Sequence, residues 1–152
     1  MFYFKDFGLL TDGDIDLKIE NKVPANEEKG HVPSYKYRIT LHNMDDTIGA
    51  IDIRIGHNEN TYYGGNIGYT INEEYRGNGY AAKACKIIRE VAIAHGMEKL
   101  IITCNPDNFP SRRTCEKVGL TLKGIVDLPI YNEMYIRGER QECIYEWELL
   151  KI

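Results

Sequence analysis

Apolar and polar positions change period several times along this 152-residue chain, and each change marks an element. Ile15 to Glu20 alternates Ile-Asp-Leu-Lys-Ile-Glu, which predicts a half-buried strand. Residues 21–34 are polar, with two prolines and the run Glu27-Glu28-Lys29-Gly30, and read as a loop. Tyr35 to His42 alternates again, Asn43-Met44-Asp45-Asp46 makes a turn, and Thr47 to Ile55 supplies the partner strand of a β-hairpin. Gly56 to Gly65 is a polar, glycine-rich connection to a short strand at 67–71.

From Gly79 onward the period lengthens. Ala81, Ala84, Cys85, Ile88, Val91, Ala92 and His95 recur at steps of three and four, a helix with one apolar face, and Gly96 closes it. Leu100 to Cys104 is a continuous apolar run, as expected of a buried central strand. A second helix follows, with Asn108 as N-cap, Pro110 in the first turn and Gly119 as its stop. Leu120 to Leu128 and Glu142 to Leu149 are the last two strands. The order strand, hairpin, strand, helix, strand, helix, strand, strand predicts an α/β fold: a central mixed, mostly antiparallel sheet flanked by helices. Its two strand-helix-strand units are expected to cross over right-handed. With no repeat and no boundary, residues 1–152 are expected to form one domain.

The stretch with the most chemistry runs from Asn66 to Ala81: a strand, a polar turn, Arg76-Gly77-Asn78-Gly79-Tyr80-Ala81, and the start of a helix. Glycines there let the backbone take positive φ and let a ligand approach the chain. A helix start offers unpaired N–H groups and a positive dipole end to an anion, and Arg76 adds a fixed charge, so a pyrophosphate suits the loop. The dinucleotide fingerprint is absent, because Ala82 stands where its third glycine belongs, and no Gly-Lys-Ser/Thr follows to make a Walker loop.

Composition narrows the classes. Hydrophobic residues make up 43% and charged residues 28%, ordinary for a globular protein, and the formal charge of −4 argues against a nucleic-acid footprint. No apolar run reaches membrane-spanning length, so no membrane role and cytoplasmic residence are the expectations. Cys85, Cys104, Cys115 and Cys143 form no C-x-x-C pair and the four histidines are scattered, so no metal is expected.

The glycine loop resembles the acyl-CoA loop of the GCN5-related N-acetyltransferases (GNAT), Arg/Gln-x-x-Gly-x-Gly/Ala, with Arg76, Gly79 and Ala81 in its defined positions. A second motif of that family, Asn-x-x-Ala/Ser-x-x-x-Tyr-x-x-x-Gly-Phe, is matched in part by Asn108, Ser111, Cys115, Gly119 and Leu120. The element order from 35 to 149 also resembles that fold, most closely its bacterial ribosomal-protein and antibiotic-type members. The resemblance implies an N-acetyltransferase with acetyl-CoA as co-substrate and a primary amine of a small molecule or protein as acceptor, attacking the thioester directly. Tyr69, Thr70 and Ile71 would pair with the pantetheine, and Arg76, Gly77, Asn78, Gly79, Tyr80 and Ala81 would hold the pyrophosphate. Asn105, Asn108 and Ser111 would line the arm beyond. The alternative is an inactive module that only binds acyl-CoA.

Three departures from the family pattern shape these expectations. No helical pattern separates the first strand from the hairpin, where the family builds part of its acceptor site. Asn66 falls where the family often has a carboxylate, and an amide takes no proton from an ammonium, so the base lies elsewhere or is a water relay. Glu73 and Glu74 are nearby, though a strand-end turn explains them equally. Cys115 replaces the tyrosine that often protonates the departing thiolate, and it shares a helix face with Ser111. Ser111 and Cys115 are therefore the candidate catalytic residues, with Cys115 as a packed hydrophobe the other reading. The connection 129–139, with Tyr131, Glu133, Tyr135 and Arg137, reads either as a flap facing the acceptor or a homodimer partner, or as a solvated loop.

Overall fold

The computed structural model describes residues 1–149. Its strands are β1 (Leu10–Thr11), β2 (Ile15–Val23), β3 (Ser34–Leu41), β4 (Thr47–Arg54), β5 (Ile67–Ile71), β6 (Lys99–Cys104), β7 (Thr121–Asp127) and β8 (Gln141–Glu148). Its helices are α1 (Glu59–Gly64), α2 (Tyr80–Ala94), α3 (Phe109–Val118) and α4 (Glu133–Ile136). The expected mixed, mostly antiparallel sheet takes the form of two antiparallel sheets. One has the order β1-β2-β3-β4-β5 and the other β6-β8-β7. β5 and β6 are edge strands that share no ladder, and the gap between them positions the site.

Local chemistry explains the elements. Ile15 and Leu17 on β2 and Ile39 on β3 are fully buried, the inward half of the alternation. On α2 the predicted apolar face is buried at Ala84, Cys85, Ile88, Val91 and Ala92. Gly119, at φ +94, ends α3 in the left-handed region, and Asn108 accepts the Ser111 N–H at its start. One core cluster joins both sheets, from Ile15 and Tyr35 through Ile88 to Tyr145 and Trp147.

Three short elements escape the pattern. The polar connection 56–65 contains α1, started by a capping box in which Asn58 and Thr61 satisfy each other's backbone N–H. At six residues it is too short to develop a periodic apolar face. The four-residue α4 lies within the 129–139 connection, and the two-residue β1 pairs with β2. Between β2 and β3 there is only a 3-10 turn, so the departure read there stands. Among the described residues, no helix is long and apolar enough to cross a membrane.

Candidate active site

The two sheets are hydrogen-bonded to each other at the residue that precedes β5. Asn66 is fully buried, its backbone N–H donates to the Ile101 carbonyl (2.6 Å), and its Oδ1 accepts the Ile101 N–H (2.9 Å). Its Nδ2 donates to the carbonyls of Arg54 (3.0 Å) and Gly56 (2.8 Å). Every polar atom of that side chain is occupied, so Asn66 rivets the two sheets and has nothing left for a substrate.

Past this rivet lies a cleft of about 270 Å³. Ile67, Gly68 and Tyr69 form one wall, Ile102 to Asn105 the other, and Asn108 and Ser111 of α3 close an end. Because β5 hydrogen-bonds only to β4, the β5 edge toward the cleft is an unpaired strand edge, ready for an extended ligand with amide groups.

The glycine loop follows the end of β5. Gly77 and Gly79 have φ of +85° and +75°, a conformation that L side chains adopt at a cost. Gly79 is the N-cap of α2 and provides no side-chain cap, so the first-turn N–H groups of that helix remain available to an anion. Arg76 donates from Nε to the Ile71 carbonyl (2.9 Å), which ties its guanidinium beside the loop. A Cβ placed on Gly79 would lie 2.5 Å from Nζ of Lys117, so α3 sets a lysine over the loop. Lys117 makes no salt bridge among the described residues. The sequence reading did not single it out, because it belongs to the loop only through the packing of α3 against α2.

Two polar atoms in the cleft lack hydrogen-bond partners: the Tyr69 hydroxyl and Oε1 of Glu142. Burial pushes the Tyr69 phenol up to about 12, so it stays protonated at neutral pH. Ser111 and Thr114 hydroxyls lie near it, outside hydrogen-bonding geometry. Glu142 is 2% exposed, and burial, then the neighbouring Glu139 carboxylate, push its carboxyl up to about 7. Nothing in the sequence marked it beyond its place at the start of a strand. The Tyr69 hydroxyl and the edge amides of β5 suit a pantetheine arm, and the loop suits a pyrophosphate.

The sequence-derived residues divide. Tyr69, Asn105, Asn108 and Ser111 line the cleft; Thr70, Ile71 and residues 76–81 do not, the last forming the loop between the end of β5 and the start of α2. Oδ1 of Asn108 is taken by the Ser111 N–H (3.2 Å), leaving the amide nitrogen for a ligand. Cys115 is fully buried in the core and does not line the cleft, and burial pushes its thiol far up, which favours the packing reading. Glu73 and Glu74 sit exposed in a 3-10 turn away from the cleft. In the 129–139 connection, Met134 and Glu139 line the cleft, whereas Tyr131, Glu133, Tyr135 and Arg137 do not. Tyr131 instead donates to Glu59 of α1 (2.6 Å), and Arg140 stacks 4.0 Å from the Tyr135 ring centre.

The site thus sets a glycine loop, opening a helix at the end of an edge strand, beside a second sheet in an α/β protein. The acetyltransferase (GNAT) domain model matches residues 4–121. The chain belongs to the GNAT acetyltransferase family, whose members use acetyl-CoA as co-substrate. A relative, the uncharacterized N-acetyltransferase YnaD of Bacillus subtilis (strain 168), is 29% identical over 136 residues, covering 81% of this chain and 78% of its own. Among solved structures, the microcin C7 self immunity acetyltransferase MccE in complex with acetyl-CoA and AMP superposes with a TM-score of 0.59 at 24% identity. That match covers 76% of this chain and 61% of MccE, so the chain spans less than two thirds of that relative. RimL, a ribosomal L7/L12 alpha-N-protein acetyltransferase in complex with coenzyme A, gives 0.67 at 14% identity, over 93% of this chain and 98% of its own. Both likenesses establish the fold.

Proposed function

We propose that the chain transfers an acetyl group from acetyl-CoA to a primary amine of a small molecule or protein by direct attack. The observation that carries this is the cleft itself: an unpaired β5 edge leading to a left-handed glycine loop at an uncapped helix start. When bound, acetyl-CoA supplies the activated acetyl thioester. Backbone groups of Tyr69 to Ile71 align its arm, Arg76 to Ala81 hold the pyrophosphate with Lys117 above, and Asn105 and Asn108 orient the arm's far end. Ser111 acts as proton donor toward the sulfur, with the protonated Tyr69 hydroxyl beside it. Cys115 takes no part, since its buried thiol keeps its proton.

The ribosomal alpha-N-protein acetyltransferase activity in RimL's name favours an exposed amino terminus as acceptor. Action in the cytoplasm goes with this reading and with four free cysteines, which are characteristic of a reducing compartment. A second reading, an acyl-CoA-binding module without catalysis, is motivated by Asn66 and Cys115, both committed to structure where the family often has chemistry. Calorimetric titration with acetyl-CoA, followed by thiol-release assays on an alanine tripeptide amide and spermidine, separates the two. Binding with thiol release supports the enzyme, binding without release supports the module, and no binding removes both.

A further inference from the structure

Glu142 is the one carboxylate buried in the cleft. It stands on β8 with Oε1 unpartnered, Glu139 is its charged neighbour, and Met134 of α4 lines the same cleft. The cleft lining contains no lysine, arginine or histidine. Its only formal charges are these two carboxylates, so this end attracts a cation and repels an anion. A buried oxygen without a donor is costly, and an ammonium supplies the missing donors.

We propose that Glu142, paired with Glu139, is the catalytic base that receives the ammonium of a cationic acceptor and takes one proton from it. This rests on the acetyl-transfer reading above and names the base and the charge class of its acceptor. In the step, one ammonium proton passes to Oε1 of Glu142 and the freed lone pair forms the N–C bond to the acetyl carbon. The C–S bond breaks with its electron pair on sulfur, and the second amine proton reaches the sulfur by way of the Ser111 hydroxyl. Glu142 later releases its proton to water, leaving amide, thiol and one solvent proton.

The groups around Glu142 agree with that role. Glu139 faces it from the loop before β8, and Cys104 from β6; Val126 opposite it on β7 is uncharged. Tyr69 and Ser111 stand across the cleft, and Arg112 is occupied by the Tyr145 hydroxyl and the Pro106 carbonyl. Burial and a like charge in the same small site both resist ionisation, so Glu142 holds its proton into the neutral range. A base poised there matches working pH.

The first test needs no acceptor. In protein labelled with carboxyl-13C glutamate, one glutamate signal is expected to titrate near neutrality and to vanish in Glu142→Gln; glutamates that all titrate in the ordinary carboxylate range overturn the proposal. The second follows kcat/KM against pH with spermidine and the alanine tripeptide amide as probes. The wild type is expected to lose rate below a limb near neutral pH, and Glu142→Gln to drop about a hundredfold at pH 7 and lose the limb. Its affinity for acetyl-CoA, measured by calorimetry, should stay within about twofold, which shows that the variant is folded. Glu139→Gln should move the limb to lower pH, and an unmoved limb overturns the pairing. A Glu142→Gln enzyme with full rate and limb overturns the base while leaving acetyl transfer standing. A wild type that releases no thiol with either cationic probe overturns both.

Discussion

At Asn66 one side-chain amide meets three backbone groups on two segments of chain, and that geometry settles what the side chain can do. An aspartate there would set a carboxylate oxygen against the carbonyls of Arg54 and Gly56, leaving both buried acceptors unpaired. Asn66→Asp is expected to cost about 3 kcal/mol, read as a lower urea midpoint, and to bring no gain in acetyl transfer. A more active variant would restore the position as a site for the base. Gly79 is the opposite case, a residue whose value lies in what it lacks. Gly79→Val puts a branched side chain at φ +75° over the anion site, so acetyl-CoA affinity should fall at least about tenfold by calorimetry. Unchanged affinity would remove the loop from the cofactor site. The glycine was legible from its neighbours in sequence. The partners of Asn66 and the burial of Glu142 were not, because they depend on a strand 35 positions further along, on the end of β4 10 and 12 positions back, and on a loop with no periodic signal.

Elements with a full period were the legible ones. β5 was expected at 67–71 and lies there, and α2 was expected to end at Gly96 and ends at Ala94 with His95 as its cap. α1 and α4 were not, since caps and a contact between Tyr131 and Glu59 hold them in place of an apolar stripe. Polar chemistry also joins elements that hydrophobic pattern alone leaves loose. Asp16 of β2 falls on the face opposite Ile15 and Leu17 yet is buried, with Oδ1 2.7 Å from Nδ1 of His42 and Oδ2 accepting the Asn43 N–H (3.0 Å). Burial alone would raise this carboxyl, but those hydrogen bonds outweigh it and hold it down to about 2. A depressed pKa stabilises the fold above the unfolded value near 4, and that contribution disappears as pH falls from about 4 to about 2. Urea midpoints should therefore drop over that window in the wild type. In Asp16→Asn the midpoint should already be low at pH 7 and should change less across the window, and a parallel fall in both proteins would sever the link to Asp16.

For the whole molecule, the division into two sheets is what turns a core into a site. The core cluster crosses between them, yet among the described residues the backbone hydrogen bond between the entry to β5 and β6 is at Asn66, and the cleft occupies the space where a continuous sheet would have paired. On the proposed reading, a ligand laid along that gap lies between β5 on one side and β6 and α3 on the other, and continues to the glycine loop that follows β5. Acetyl-CoA should then stabilise the protein globally, with free ligand at a hundred times its Kd adding about 2.7 kcal/mol. For a chain of this size that corresponds to a rise in Tm of about 5–10 °C. Amide exchange should slow at the cleft-facing N–H groups of β5, because a bound arm pairs an edge that is otherwise open to water. A ligand held by the glycine loop alone would raise Tm but leave exchange along β5 unchanged, and that result would confine binding to the pyrophosphate end and reject pairing of the arm with the strand.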